Sequence, residues 1–282
     1  MSEPTFSVIT PSYRQARWLR LCAASVADQG VEVEHIVQDN LSGPEVTEAL
    51  APFPHAKLAA EKDGGMYDAI NRGWEKAGGE ILAWLNCDEQ YLPGTLEAVA
   101  GHFRNHPETD ILFADAVVVD EGGNYLCSRQ VLPPWLEHTW ICHLQTLSCA
   151  TFFRRQLIRE RSFWLDPRWR VAGDADLIIR MLRAGVRVDV LRRYASVFLD
   201  NGGNLGLSPR AVEERDALAG EAPRWMQALR PWWVAQHRLR RLGHGLYGPR
   251  PFGYDIYTEA SPQKRVHFDV PRPTFYWQSR MK

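Results

Sequence analysis

The sequence predicts an α/β protein: a mostly parallel, doubly wound sheet first, a mixed region after it, and a helical and irregular C-terminal tail. Three observations carry that expectation. Strand-like and helix-like patterns alternate from Phe6 to about residue 109, the order that produces parallel strands covered by helices. From about Asp110 hairpin signals replace the alternation. After Ser208 the texture changes again, to arginine, tryptophan and proline.

TFSVIT reads as the first strand. In RQARWLRLCAASVADQG, Trp18, Leu21, Cys22 and Val26 recur at helical spacing and Gly30 ends the pattern. VEVEHIVQDN is strand-like, GPEVTEALAPF helical, and AKLAAE a short strand. GMYDAINRGWEKAGG is a helix closed by glycines, and EILAWLNCDE is an apolar strand that runs directly into acidic residues. Then DILFADAVVVDEGGNYLCSRQVL gives two strands joined around DEGGN, whereas PPWLEHTWICHLQTLSCATFFRRQLI has no clean period at its start. GDADLIIRMLRAG is helical, and VRVDVL and YASVFLD each read as a strand. In the tail, Pro231 opens a short helix, because proline is tolerated at the first helical position. The Pro- and aromatic-rich stretch beyond Gly248 is expected to wrap over the body.

Composition narrows the function. The 282 residues are 45% hydrophobic and 24% charged, an ordinary balance for a globular core, and the net charge of -1 gives no field to attract nucleic acid. Five cysteines are scattered, odd in number and free of any CxxC pair, which argues against a disulfide framework or structural zinc and fits a reducing cytoplasm. The start enters a strand without a basic stretch and an apolar stretch before it, so no signal peptide is expected. No apolar run approaches the roughly 20 residues of a spanning helix. HExxH and GxSxG are absent, so zinc-hydrolase and serine-hydrolase readings lack support.

The chemistry concentrates in carboxylates at element ends. Asp39 closes the second strand and Asp88 the fourth, which puts both on the edge of one parallel sheet where ligands of this architecture bind. Acids gathered there repel unless a cation sits among them, and one or two carboxylates suit Mg²⁺ or Mn²⁺, which complete their shells with water and substrate phosphates. Asp174 and Asp176 sit at a helix start, where an acid also serves simply as a cap.

FSVITPSYRQARWLRLCAASVADQ, EHIVQDNLSG, DGGMYDAINRGWEKAGGEILAWLNCDEQYLPGTL, CATFFRRQLI and GDADLIIRMLRAG follow one another in the order and approximate spacing of family 2 glycosyltransferases, which they resemble. The likeness runs from about Phe6 to Asn204. It implies a GT-A fold over residues 1–207, with a nucleotide-binding half to about 109 and an acceptor-side half from 110 to 207, followed by an extension over 208–282. It also implies an inverting transfer of a sugar from a UDP- or other NDP-hexose to a hydroxyl of a glycan or lipid-linked acceptor, with a divalent metal (Mn²⁺ or Mg²⁺) on the diphosphate.

By position, the resemblance places Thr10, Pro11 and Tyr13 along the nucleotide base, Asp39 and Asp63 at its hydrogen-bonding edge, and Asn71 and Arg72 near the diphosphate. NCD falls on the family's DxD, with Asn86 in place of the first acid and toward the ribose. Asp88 is then the metal ligand, and Glu89 either reaches the metal through water or is a solvated neighbour. AGDAD resembles the family's ED segment, with Gly173 replacing the first acid and Asp174 as general base; Asp176 is the alternative base. Arg168, Arg170 and Arg180 are near enough in sequence to tie up either acid. TFFRR, with Gln145 and Thr151 before Arg154 and Arg155, matches a helix flanking the acceptor.

Two rival readings stand beside this one. A sugar-phosphate nucleotidyltransferase would want a glycine-rich loop after the first strand, and TPSYRQARW has none. A catalytically silent nucleotide-sugar module would keep the binding residues without turnover. In the tail, six arginines and no acid lie between Ala222 and Tyr254, interleaved with Trp225, Trp232 and Trp233. That pattern serves either peripheral contact with the inner membrane face or packing of the tail on the body.

Overall fold

A computed structural model describes residues 5–277. The outermost residues of the two expected segments, 1–4 and 278–282, lie outside the described residues. β1 (Phe6–Ser12) pairs in parallel with β2 (Val33–Asp39) across the helix α1 (Ala16–Ala27), and Ser12 stands opposite Asp39. α2 (Pro44–Leu50) leads to β3 (Ala56–Ala60) on the outer edge of β2. α3 (Met66–Lys76) then carries the chain back to β4 (Ile81–Trp84), parallel to β1 on its other side. The order β3-β2-β1-β4 therefore reverses between β1 and β4, and a binding crevice is expected beyond their carboxyl ends.

The second half is mixed. After β5 (Gln90–Tyr91) and α4 (Thr95–Asn105), β6 (Ile111–Val119) forms a hairpin with β7 (Tyr125–Arg129). α5 (Leu136–Ile141) precedes β8 (Thr151–Arg154), which slots antiparallel between β4 and β6 and continues into α6 (Arg155–Arg159). α7 (Gly173–Arg183) is followed by β9 (Val188–Leu199), parallel to β6 and antiparallel to β5. Among the described residues the whole is a nine-stranded, mixed sheet flanked by helices. Two sequence expectations are corrected. TFFRR is mainly a central strand rather than a helix, because Phe152 and Phe153 alternate into opposite cores; VRVDVL and YASVFLD are one continuous strand.

β4 shows why an apolar run is needed here. Ile81, Ala83 and Leu85 point to a core covered by α1 and α4, whereas Leu82 and Trp84 point to one covered by α3 and α7. On the latter side Trp84 stacks on Phe153 (ring centroids 5.6 Å apart) with Trp74 edge-on at 5.5 Å. The tail forms α8 (Pro209–Gly220), α9 (Arg224–Ala228), α10 (Arg230–Gly243) and a hairpin of β10 (Phe252–Thr258) with β11 (Ser261–Val270). The hairpin rests on the body: Tyr254 donates to the Gly123 carbonyl at 2.7 Å, and Gln90 exchanges two hydrogen bonds with the Tyr257 backbone.

Candidate active site

At the reversal point, residues beyond β1 and β4 open on a cavity of about 550 Å³, within the range of small-ligand sites. Pro11, Ser12 and Tyr13 line it from β1, and Asn86 and Asp88 from the turn after β4. The Tyr13 ring is 53% exposed and offers a face to a flat ligand. The NCDE turn is closed from within: the Glu89 carboxylate accepts from the Asn86 amide at 2.7 Å, and the Glu89 amide donates to the Asn86 carbonyl at 3.0 Å. The Cys87 thiol donates to the Pro11 carbonyl at 3.4 Å, pinning the turn to β1.

Glu89 is thus fully buried, not a solvated neighbour, and it shapes the turn instead of reaching into the cavity. Burial raises the pKa of both Asp88 and Glu89 above the usual carboxylate range, and the Asp88 charge pushes Glu89 further. The Asn86 side-chain oxygen is buried without a partner among the described residues.

Asp174 enters the same cavity from the first turn of α7. One of its carboxylate oxygens accepts from the Ala175 amide at 2.8 Å. The preceding loop is fixed by Tyr67, which donates to the Val171 carbonyl at 2.8 Å, and by Glu214 of α8, which accepts from the amides of Arg170, Val171 and Ala172. Gly173 is required by Tyr67: a Cβ there would lie 2.5 Å from the ring. Asp176 is buried and paired with Arg180 at 2.8 Å. The other two arginines near Asp174 in sequence also have partners elsewhere, Arg168 with Asp166 and Glu221, and Arg170 with the Gly64 carbonyl.

Of the residues singled out by sequence, the cavity wall contains Pro11, Tyr13, Asp63, Asn86, Asp88 and Asp174, together with Gln145 and Arg170. Asp63 accepts from the Gly65 amide at 2.8 Å, and burial raises its pKa. Six others stand outside the wall. Thr10 faces the core, 2.9 Å from His35 Nε2. Asp39 is buried and holds the turn after β2 by accepting from the Ser42 amide (2.8 Å) and hydroxyl (2.7 Å). Asn71 uses both ends of its amide on the Leu165 backbone, and Arg72 pairs with Asp68 at 3.0 Å. Thr151 and Arg154 serve the backbone carbonyls of Leu147 and Thr109.

Residues 7–160 match the model of glycosyl transferase family 2, more than half of the chain. The chain is a family 2 glycosyltransferase. It transfers a sugar from a nucleotide-sugar donor to an acceptor. Over 229 residues the glycosyltransferase is 30% identical to a PGL/p-HBAD biosynthesis glycosyltransferase of Mycobacterium bovis, covering 77% of this chain and 84% of that one. Its fold is similar to that of TarS 1-349 from S. aureus, solved in complex with UDP (TM-score 0.58, 18% identity, 85% of this chain and 72% of that one). The fold is also similar to the mannosyltransferase PcManGT from Pyrobaculum calidifontis in complex with GDP-Man and Mn2+ (TM-score 0.54, 18% identity, 87% and 81%).

The far wall of the glycosyltransferase cavity was not legible in sequence. It is built from Thr139 and Trp140 of α5, Thr146, Asn204, Arg215 of α8, and Trp277. Gln145 ties this wall to the tail, its amide nitrogen donating to Nδ1 of His138 (3.1 Å) and of His237 on α10 (3.2 Å). Burial lowers these imidazoles to about 4 and about 3, so both rings are neutral and accept.

Proposed function

We propose that the enzyme is an inverting, metal-assisted hexosyltransferase in which Asp174 is the general base and Asp88 the protein ligand to the cation. The observation that carries this reading is that Asp88 and Asp174 reach one cavity from different elements, the turn after β4 and the start of α7, while Asp176 is held by Arg180. Pro11 and Tyr13 form the wall for the nucleotide base, with Asp63 at its edge, and the unpartnered oxygen of Asn86 accepts from the ribose. The acceptor, a glycan or lipid-linked sugar, enters along the Thr139–Gln145 wall. From the extension that begins at 208, Arg215 of α8 and Trp277 belong to this reading as part of that wall.

The donor set fits a divalent cation. Among the described residues no group of three His, Cys, Asp or Glu side chains gathers, so the chain offers the single carboxylate of Asp88 and leaves the remaining positions to water and phosphate, as Mg²⁺ and Mn²⁺ prefer. Bound there, the cation would supply Lewis-acid stabilisation to the departing diphosphate. Asp174 takes the proton of the acceptor hydroxyl as its oxygen attacks the anomeric carbon from the side opposite the diphosphate, which inverts that centre. A cytoplasmic setting belongs to the same reading, on the scattered cysteines of a sequence without a CxxC pair.

The test is a panel of nucleotide-sugars screened by thermal shift with and without Mn²⁺, followed by transfer assays. Metal-dependent transfer or donor hydrolysis lost in Asp88→Ala supports the reading and removes the silent-module alternative. Turnover that survives Asp88→Ala, or that retains anomeric configuration, overturns it.

A further inference from the structure

The tail helices turn their apolar residues the wrong way for a domain that is complete by itself. On α10 the inner side carries His237, Trp233 and two arginines: Arg240 donates to the Pro133 carbonyl and Arg241 to the Gln130 carbonyl, each at 3.0 Å. The outer side carries Trp232 and Leu239, 58% and 66% exposed, with Leu242 and, at the helix start, Leu229. Positions 229, 232, 239 and 242 are spaced three and seven apart and fall on one face. Trp225 of α9 adds a further exposed ring. Arg224 and Arg238 stand exposed in the same two helices.

We propose that this stripe docks the enzyme on an anionic bilayer and thereby holds the acceptor wall of the cavity beside a lipid-anchored sugar acceptor. The second clause rests on the glycosyl-transfer reading; the first does not. A second copy of the chain is the poorer occupant. Arg224, Arg230 and Arg238 stand exposed on these helices and no carboxylate lies between residues 222 and 254, so a two-fold contact through this face would set arginines against arginines. Anionic headgroups supply the missing charge, while tryptophan and leucine settle at the boundary between headgroups and acyl chains. Position gives the docking its purpose: α10 bonds through His237 to Gln145, which itself lines the cavity with Thr139 and Trp140.

The test is co-sedimentation of the full chain with phosphatidylcholine vesicles and with vesicles containing about 30 mol% phosphatidylglycerol, a composition chosen to resemble an anionic leaflet. The chain pellets with the anionic vesicles, less so at high salt, and not with phosphatidylcholine alone. Trp232→Ser/Leu239→Ser weakens partition about tenfold or more. Arg224→Gln/Arg238→Gln weakens it roughly 30-fold, at about 1 kcal/mol per arginine. Both pairs are on the surface, and an unchanged thermal midpoint and donor hydrolysis in solution confirm that the fold and site persist. Absence of pelleting, equal pelleting of the variants, or a concentration-dependent dimer abolished by Leu239→Ser in a chain that ignores vesicles overturns the proposal. Sedimentation requires no turnover, so these outcomes leave the transfer reading standing; a chain that binds vesicles and transfers from no donor removes that reading alone.

Discussion

Asp174→Asn and Asp176→Asn differ by two positions on one helix, and the structure gives them opposite signatures. In Asp174→Asn the new amide keeps an oxygen to accept from the Ala175 backbone N–H, which Asp174 bonds at 2.8 Å, so that bond at the start of α7 is retained. What is lost is the base. General-base removal lowers turnover by about 10²- to 10⁴-fold, or roughly 2.7 to 5.5 kcal/mol in the barrier. Asp176 is 5% exposed and bonded to Arg180 Nε at 2.8 Å. Neutralising it leaves a half-buried guanidinium short of its counter-charge and costs about 1 to 3 kcal/mol of stability. For a chain of this size that is about 2 to 4 °C per kcal/mol. The assay pairs initial rates of transfer at saturating donor and Mn²⁺, normalised to folded protein, with thermal unfolding. Asp174→Asn within about threefold of wild type refutes the base assignment, and Asp176→Asn that loses about 100-fold at an unchanged midpoint transfers the role to Asp176.

Three further outcomes are expected. Tyr13→Ala, removing an exposed ring, raises the donor KM roughly tenfold or more through lost stacking while the thermal midpoint holds; a KM within twofold of wild type removes the ring from the nucleotide site. Gly173→Ala places a methyl 2.5 Å from the Tyr67 ring and costs about 1 to 3 kcal/mol in urea unfolding; unchanged stability would show that the ring has room to move. His35 is buried with its pKa lowered from 6.5 to about 3, chiefly by burial. The unfolded chain therefore binds a proton below pH 6.5 that the folded chain does not, so stability is present above that pH and lost as pH falls from about 6.5 toward 3. Between pH 7 and 5 this histidine contributes about 2 kcal/mol of loss, and His35→Asn should flatten the measured slope by that amount; an identical slope would place the imidazole in contact with solvent.

How much was legible depended on whether the signal was local. The alternation of β1 to β4 was readable because each strand carries its own apolar run and each helix its own period and stop. α4 carries the same kind of local signal, with Leu96, Val99, Ala100 and Phe103 buried at helical spacing. β8 was not. Its four residues acquire strand identity only by lying between β4 and β6, where Phe153 meets Leu82 on one side and Ile111 on the other. The far wall failed for the same reason, since Thr139, Arg215 and Trp277 are brought together by tertiary packing and share no sequence pattern.

Motif position also proved a weaker guide than the direction a side chain takes. Asp39 and Asp88 both follow apolar strands of the same parallel sheet, yet the first is enclosed by Ser42 and the second lines the cavity. The difference lies in what each acid meets next along the chain. After Asp39 a serine three residues on supplies two donors, which satisfies the carboxylate locally and turns it into a scaffold. After Asp88 comes Glu89, which takes the Asn86 amide for itself and closes the turn with its own carboxylate. The second acid of the pair thereby does for Asp88 what Ser42 does with Asp39: it completes the turn. Because Glu89 fills that structural place, the carboxylate of Asp88 is left to the cavity, and the adjacent acids divide into one that builds the edge of the sheet and one that the edge presents.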